Sequence, residues 1–379
     1  MSSRRAAVAG GNMRFKIAII AFLLLALTSF GQQIIENPDK PQSKTAGRVI
    51  ELKEVLKITD EGGEFYFKYP RDLKVGSDGS IFVMDNEQIL RFGKDGKYIR
   101  NYFKKGQGPG ELTSARSYIP LPQGLCVQSA NPAKLIWFDD SGKFLKEISL
   151  KPKGRTSLGL LGAMKDAFYF SGMEFPQVTG EPQYIDNPYG ILRWTESNDE
   201  LISLSTFPVK AYVITSGSGG GGMYGIGPFI VAFFPSRYFV LIHTPEYLLK
   251  VFDAETKTVI RSISRKYDRI ETPPAKPGDK PGGMMIDGKT YGPPRQKYLN
   301  DISRVFVRNE AIWVATSTQE PKKGILIDVF NAAGMYLDNF YLNVSTGAQY
   351  FICGDLCFTL EKGQDETYAI KKHEILWKN

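Results

Sequence analysis

Residues 89–99 read ILRFGKDGKYI, two short apolar runs separated by the polar turn GKDG. Apolar runs of this length on either side of a glycine-containing turn predict two antiparallel strands joined as a hairpin. The pattern returns four times along the chain, as LIWFDDSGKFL from Leu135, ILRWTESNDELI from Ile191, LLKVFDAETKTVI from Leu248 and ILIDVFNAAGMYL from Ile325. The chain therefore contains an internal repeat built on β-hairpins.

The spacing of the repeat indicates the architecture. The copies begin 46, 56, 57 and 77 residues apart, and periods in this range are typical of propeller blades with loops of variable length. A second pair of strand-like runs precedes each hairpin, as at residues 71–76 and 80–85. Each unit thus has the four strands of a propeller blade, and five units are complete.

A sixth unit begins near Tyr350, but only three strands fit before the chain ends. The missing strand is expected from residues 48–58, RVIELKEVLKI, which have no blade of their own. We therefore predict an all-β fold, a six-bladed β-propeller of four-stranded antiparallel blades, closed by an N-terminal strand that joins the last blade. A seven-bladed ring, with residues 272–295 as a degraded blade, is disfavoured by the prolines of that segment.

The segment GQGPGE, residues 106–111, lies between the last strand of blade 1 and the first strand of blade 2, and is named the glycine corner. A crossing from the rim of the ring to its axis needs a stiff turn without large side chains, which glycine and Pro109 provide. A partial echo, GIGP at residues 225–228, precedes the first strand of blade 4. The glycine corner is interpreted as structural, and an anion-binding nest of its backbone N–H groups is the alternative.

The blade pattern, the strand end Val83-Met84-Asp85 and the glycine corner resemble those of bacterial exported six-bladed β-propeller proteins, related to NHL repeats and to the TolB-like superfamily. The resemblance covers residues 48–379 and is clearest in blades 1 and 2. It implies this fold and a location outside the cytoplasm, either periplasmic or secreted. It implies no general set of catalytic residues.

The N-terminus has the features of an export signal, because four Lys or Arg residues precede a short apolar run at residues 17–30. We predict a signal peptide at residues 1–31, a linker at 32–47 and the propeller at 48–379, with a retained membrane anchor as the alternative. Removal of the signal lowers the formal charge from +8 to +4 and leaves no membrane span. The modest remaining charge argues against a nucleic-acid partner.

In a propeller, the turns between the second and third strands of each blade lie on the same face as the crossings between blades. This face is named the mouth face. The ends of the second strands, together with Glu111 of the glycine corner, are predicted to ring the channel mouth and to bind a ligand. These strand-end residues are Asp85, Gln128, Ser171, His243, Thr316 and Glu361. Asp85 and His243 have structural alternatives, and His373 is expected on a solvated strand face.

The sequence contains no Gly-x-Ser-x-Gly or His-Glu-x-x-His motif, and two histidines exclude a histidine-rich metal site. This favours a binding or scaffold module for a peptide, a glycan or an envelope protein. The alternative is a metal-dependent hydrolase or lyase of the six-bladed lactonase type. Calcium would then be held by Asp85, Gln128, Glu361 and Glu111, with His243 as general base.

Three inserted segments interrupt the repeat. Residues 173–190 carry Phe175, Tyr184 and Tyr189, aromatic side chains able to stack on a sugar or a peptide. Residues 216–222, SGSGGGG, are predicted to form a flexible loop. Residues 272–295 are rich in proline and glycine and are predicted to lack regular strands, forming either an exposed linker or a docking arm.

The chain has three cysteines, Cys126, Cys353 and Cys357, too few for a disulfide-built scaffold. An exported protein meets an oxidising environment, in which a Cys353–Cys357 bridge would form if the geometry allowed it. Buried thiols within strands are the other interpretation. The sequence leaves both open.

Overall fold

The computed structural model describes residues 33–152, 156–176, 178, 181–215, 221–234, 237–275, 283–286, 288–345 and 348–377. The predicted signal peptide lies outside the described residues, as does most of the predicted SGSGGGG loop. All regular elements in these ranges are β-strands. The described residues include no helix that is long and apolar enough to cross a membrane.

Two strands, β1 (Gln33–Asn37) and β2 (Arg48–Ile58), precede five antiparallel units of at least four strands and a sixth unit of three. Blades 1 and 2 contain β3 (Pro70–Val75), β4 (Ile81–Asp85), β5 (Gln88–Phe92), β6 (Tyr98–Asn101), β7 (Ser117–Leu121), β8 (Gly124–Ala130), β9 (Ala133–Asp139) and β10 (Phe144–Ser149). Blades 3 and 4 contain β11 (Thr156–Met164), β12 (Ala167–Glu174), β13 (Gln183–Thr195), β14 (Ile202–Thr215), the additional β15 (Gly221–Gly225), β16 (Ile230–Phe234), β17 (Tyr238–Ile242), β18 (Leu248–Asp253) and β19 (Thr258–Arg265).

A short separate hairpin follows, β20 (Met284–Ile286) and β21 (Lys289–Tyr291). Blade 5 contains β22 (Ile302–Arg308), β23 (Ala311–Glu320), β24 (Gly324–Phe330) and β25 (Tyr336–Leu342). Blade 6 contains β26 (Gln349–Cys353), β27 (Leu356–Lys362) and β28 (Tyr368–Leu376), and β2 completes it.

Side-chain packing joins these units into a closed ring. The middle strands β4 and β5 are buried along their whole length, because a neighbouring blade covers each face, whereas the outer strand β10 alternates between half-buried and exposed positions. Six apolar clusters each combine side chains from two adjacent blades, and the last of them joins Phe358 of blade 6 to Ile81 and Val83 of blade 1. The chain is therefore a six-bladed β-propeller, as predicted.

The N-terminal strand closes the ring, which confirms the second part of the prediction. β2 pairs antiparallel with β28, from Glu51 opposite Leu376 to Ile58 opposite Ile370. Its first three residues also pair in parallel with β25 of blade 5. Blades 5 and 6 are thereby joined into one eight-stranded hydrogen-bonded sheet.

The structure differs from the predicted linker at residues 32–47. Residues 33–37 form β1, which pairs in parallel with β19 as a fifth strand on the rim of blade 4. The following residues bind the outer strand of blade 5, where Gln42 N–H donates to Tyr336 O and Gly47 N–H to Asn339 O. Residues 33–47, named the N-terminal strap, thus run along the rims of two blades before β2 enters the last one.

Two of the inserted segments contain regular strands. Residues 183–190 belong to β13, which pairs with β14 as far as Gln183 opposite Val213, so the blade 3 hairpin extends beyond the body of the blade. Within residues 272–295, β20 and β21 form a hairpin whose turn contains Gly288 at φ +75°. The prediction that this segment lacks strands is wrong, because a glycine turn between two β-prone triplets outweighs the surrounding prolines.

All three cysteines are free thiols. Cys353 packs in the cluster between blades 6 and 1, whereas Cys357 packs in the cluster between blades 5 and 6. The two side chains therefore point to opposite faces of one sheet, and a bridge between them is excluded by the sheet itself. Burial raises the pKa of Cys357 to about 12, so the buried-thiol interpretation is confirmed.

Candidate functional site

The predicted ligand-binding residues lie on or directly after the second strands of their blades, but most are occupied by backbone groups. The Asp85 carboxylate accepts hydrogen bonds from the N–H groups of Lys68 at 2.6 Å and Tyr69 at 2.7 Å. These two residues belong to the crossing that leads from blade 6 into blade 1. Asp85 is fully buried and holds this crossing in place, which supports its structural interpretation.

Gln128, Ser171 and Thr316 have the same kind of role. The Gln128 amide donates to Leu158 O at 3.2 Å and accepts from Leu160 N at 2.8 Å, which ties blade 2 to the first strand of blade 3. The Ser171 and Thr316 hydroxyls donate to backbone carbonyls within their own blades. Gln128 thus joins two blades, Ser171 and Thr316 stabilise their own blades, and all three offer few groups to a ligand.

Glu111 fills the predicted anion nest of the glycine corner with its own carboxylate. Oε2 accepts the Gly108 N–H at 3.0 Å, and Lys104 Nζ lies 2.9 Å from Oε1. The hydrogen bond from Lys104, and then that from Gly108, hold the pKa of Glu111 below its ordinary value. A Cβ on Gly106 would lie 1.9 Å from Oε2, so a side chain there would displace the Glu111 carboxylate from the turn. The nest is satisfied from within, which supports the structural interpretation.

Glu361 lines a cleft of about 340 Å³ on the mouth face of blade 6, together with Gln349, Lys362 and Tyr368. Its carboxylate contacts Lys371 Nζ at 2.9 Å and accepts from the Thr359 hydroxyl at 2.9 Å. Burial raises the pKa of Glu361, but these two contacts outweigh it and lower the pKa overall. Among the other predicted residues, Glu111 also lines a cleft, of about 380 Å³.

His373 is buried, which corrects its predicted place on a solvated face. Its Nε2 lies 3.1 Å from the Thr359 hydroxyl, and its Nδ1 is buried without a hydrogen-bond partner. The side chain lies on the same face of the blade 6 sheet as Cys357, because Cys357 and His373 are directly opposite in the ladder between β27 and β28. The charged residues around it in the sequence, Lys371, Lys372 and Glu374, misled the prediction.

His243 lies at the junction of blades 3 and 4, named the seam. Its ring is 5.5 Å from that of Phe207, and its Nδ1 is 2.9 Å from Pro208 O, both on β14. The carbonyl fixes the proton on Nδ1, while Nε2 is buried without a partner. Burial lowers the pKa of His243, so the ring is neutral.

Two further residues at the seam were not predicted. Asn187 lies on β13 opposite Val209 and is almost fully buried, and its Nδ2 has no hydrogen-bond partner. Lys250 lies on β18 opposite Leu241, with Nζ 5.8 Å from the centroid of Phe207. No motif marks these side chains, because only the pairing of extended strands brings them beside His243.

The central channel contains another unpredicted group. Asp72 and Lys74 of blade 1, Arg304 of blade 5 and Tyr350 of blade 6 line a cavity of about 150 Å³. Asp72 has φ +52°, a conformation that is unfavourable for a residue with a side chain, at the bulge between β3 and β4. Lys74 lies 3.4 Å from Asp72 and donates to Tyr118 O at 2.5 Å, so its charge is compensated locally.

The four calcium ligands predicted for the lactonase alternative bind other groups at separate places. Asp85 binds the crossing from blade 6 into blade 1, and Gln128 joins blades 2 and 3. Glu111 binds inside the glycine corner, and Glu361 contacts Lys371. In the described residues, no group of three or more His, Cys, Asp or Glu side chains could hold a metal ion. A calcium site therefore stays a prediction.

Exposed aromatic side chains concentrate on the mouth face. Tyr66 and Tyr69 lie on the crossing into blade 1, and Phe175 and Tyr184 lie on the blade 3 extension. They are four of the five exposed aromatic residues in the described chain, the fifth being Trp377 after the last strand. Exposed aromatic groups on connecting segments are a common feature of binding surfaces.

Comparison with known proteins supports the fold. A family model described as a 6-bladed beta-propeller, DUF5128, matches residues 59–155, which include blades 1 and 2. A protein of Bacteroides fragilis NCTC 9343, described as exported, is 13% identical, with TM-score 0.52 over 91% of this chain and 100% of its own. A duf4221 family member from Bacteroides vulgatus is 10% identical, with TM-score 0.52 over 87% and 99%.

A gluconolactonase from Xanthomonas campestris aligns over 88% of this chain and 96% of its own, at 10% identity and TM-score 0.44. This similarity is too distant to inform the activity of the present chain. No curated protein sequence matches the present chain significantly. The comparisons therefore establish a six-bladed β-propeller with an exported structural neighbour, and the function has to be argued from the chain itself.

Proposed function

We propose that the protein is an extracytoplasmic binding or scaffold module that holds a peptide, a glycan or an envelope protein on its mouth face. The observation that carries the proposal is the placement of the exposed aromatic residues. Tyr66 and Tyr69 lie beside blade 1, while Phe175 and Tyr184 lie at blade 3, so the two pairs occupy separate parts of the mouth. A long ligand that crosses the mouth could contact both pairs.

The blade 3 extension and the segment between blades 4 and 5 support one another on this face. The Tyr224 hydroxyl on β15 donates to Tyr291 O on β21 at 3.2 Å. The Gln296 amide lies 3.4 Å from the Tyr184 hydroxyl, and Lys210 Nζ lies 5.2 Å from the centroid of the Tyr184 ring. These contacts hold Tyr184 partly exposed in a basic and aromatic setting. Such a setting suits the faces of sugar rings and polar polymers.

The proposed location follows from the predicted signal peptide and from the exported structural neighbour. In that compartment, the candidate partners are cell-envelope proteins, peptides and polysaccharides. No dedicated catalytic group is needed for this role. A propeller fold by itself names no function, so the test has to address the mouth face directly.

Binding of long oligosaccharides and of extended peptides to the whole chain would be measured by calorimetry, for the unchanged protein and for Phe175→Ala/Tyr184→Ala. The control is Ile99→Ala/Leu145→Ala, which removes exposed apolar side chains from the outer strands of blades 1 and 2. We expect the mouth-face variant to lose at least about tenfold in affinity and the rim variant to bind normally. Equal affinity of all three proteins for every ligand that binds would contradict the proposal.

A further inference from the structure

We propose that the seam between blades 3 and 4 binds the carboxylate group of an acidic sugar, a uronate, through Asn187, His243 and Lys250. The inference rests on the mouth-face binding proposed above and adds the chemical class of the ligand. It starts from two buried polar atoms, Asn187 Nδ2 and His243 Nε2, that have no hydrogen-bond partner in the described chain.

Two buried polar groups at the seam lack partners. Asn187 is 1% exposed and its Nδ2 donates to nothing, while His243 is 5% exposed and its Nε2 is unpaired. Burying such groups without a partner is unfavourable, so each unpaired group in a native structure calls for an explanation. A bound acceptor that reaches both blades would satisfy the Asn187 donor. It would also favour the protonated His243 ring, whose Nε2–H then donates.

Lys250 adds an uncompensated positive charge to these groups. Its Nζ lies against Phe207, the same ring that packs on His243. In the described part of the chain no carboxylate pairs with it, and burial alone lowers its pKa. A half-buried ammonium without a counter-ion favours an anionic ligand.

The two sides of the seam are in contact at Gly227. A Cβ on this residue would lie 3.5 Å from both His243 O on blade 4 and Val209 Cγ1 on blade 3, and Val209 is the residue opposite Asn187. Gly227 belongs to the GIGP crossing, whose Ile226 and Gly227 N–H groups donate to Lys210 O. The unpaired groups thus lie beside the crossing that enters blade 4.

The two glycine crossings differ in one chemical respect. The glycine corner contains Glu111, whose carboxylate accepts Gly108 N–H inside the turn. In the second crossing, GIGP is followed by Phe229 and Ile230, so the sequence provides no acid at the corresponding place. The chain therefore supplies its own carboxylate in one crossing. Beside the other it leaves the Asn187 donor and the Lys250 cation without one.

The aromatic residues beside the seam favour a sugar as the carrier of the carboxylate. Tyr189 and Phe229 are both half-buried, with ring centroids 5.1 Å apart, and Phe207 lies directly opposite Tyr189 in the ladder between β13 and β14. Aromatic rings present apolar faces that can pack against the C–H face of a pyranose ring, which an aspartate or glutamate side chain lacks. An acidic peptide is the outcome that would replace the uronate.

The experiment measures binding of three probes to the full chain: an oligogalacturonate, a neutral oligogalactose of the same length, and an acetylated peptide rich in aspartate. The variants are Lys250→Met and Asn187→Leu. The control is Lys146→Met, which removes a lysine that lies 4.9 Å over the Trp137 ring on blade 2. Thermal unfolding of each variant is measured in parallel. Loss of an uncompensated half-buried charge should leave the Lys250→Met midpoint unchanged or raised, so weaker binding would not reflect unfolding.

We expect oligogalacturonate to bind, both seam variants to weaken it by at least about tenfold, and Lys146→Met to bind normally. Binding of the acidic peptide alone would overturn the sugar assignment. The mouth-face variant Phe175→Ala/Tyr184→Ala is measured alongside the seam variants. If the neutral sugar binds as tightly as oligogalacturonate, and only the mouth-face variant weakens this binding, the seam inference fails while mouth-face binding stands. If no probe binds, or if oligogalacturonate binds equally well to both seam variants and the unchanged protein, the seam inference fails, and mouth-face binding is decided by the calorimetry described above.

Discussion

At the scale of single residues, the location of the polar strand-end side chains was predicted correctly more often than the groups that they bind. Asp85, Gln128 and Thr316 lie where the strand pattern placed them, at the mouth ends of second strands, yet their polar atoms bind backbone groups. The hydrogen-bond partners of a strand end depend on which crossing passes it, and these crossings come from residues far away in the sequence. The unpaired groups of Asn187 and His243 could not be predicted for the same reason.

The first prediction concerns the carboxylate inside the glycine corner. The folded protein holds the pKa of Glu111 below its ordinary value. Its ionised form therefore adds stability above an unfolded pKa of about 4.3, and this stability is lost as pH falls through the lower folded value. Glu111→Gln should lower the unfolding midpoint at pH 7 and flatten its dependence on pH in the acid range.

The measurement is thermal unfolding between neutral and acid pH. Glu87→Gln is the matched control, since Glu87 is an exposed carboxylate that contacts Lys105 rather than a backbone turn. We expect the control to follow the unchanged protein at every pH. A Glu111 variant with the same pH dependence as the control would show that the corner does not depend on its internal carboxylate.

The second prediction concerns the thiols. Cys126 and Cys357 are buried, and burial raises the pKa of both, so neither should react with maleimide in the folded protein. Cys353 is half-buried and should react slowly. After denaturation without a reductant, all three should be labelled. A deficit of two thiols in the denatured protein would reveal a disulfide that this arrangement excludes.

At the scale of elements, the N-terminal strap is the least expected feature. It adds β1 to blade 4 and follows the rim of blade 5, where Asn37 binds Ser264 O and Gly334 O and accepts the Tyr336 N–H. A single buried side chain thus connects the strap to two neighbouring blades.

Replacement of Asn37 by alanine removes these three hydrogen bonds and should destabilise the protein by about 2–3 kcal/mol. The control is Gln33→Ala, because Gln33 makes a single exposed contact with Arg261 and should contribute less than about 0.5 kcal/mol. Chemical denaturation would compare the two. Equal effects would mean that the strap contributes little to the junction of blades 4 and 5.

The elements also show where sequence reasoning succeeds. Residues 48–58 were predicted as the closing strand, and β2 has these bounds. Alternation of apolar and polar residues decided this, because one face of the strand is buried in the last blade. The strap escaped prediction, since a parallel rim strand is mostly exposed and carries no strong apolar pattern. The β20–β21 hairpin escaped because proline content was given more weight than its turn.

At the scale of the whole molecule, six apolar clusters pack each blade against its two neighbours and close the ring. The predicted calcium site can be tested at this scale, because a ligand that binds only the folded state raises the unfolding midpoint. The binding proposal expects no change of the midpoint with calcium or with EDTA. A rise with calcium that is lost in Asp85→Ala or Glu361→Ala would instead support the lactonase-type alternative.

The pairing of β2 with β28 has a consequence for the order of events during synthesis. β2 is synthesised before every blade, whereas its partner β28 is synthesised after all the other strands. About 300 residues separate the two, so β2 lacks this partner until β28 has been made. A chain cut short before β28 therefore loses the closure of the ring as well as its last residues. Until translation reaches that point, the early strand and the edge of the final blade remain open to other chains.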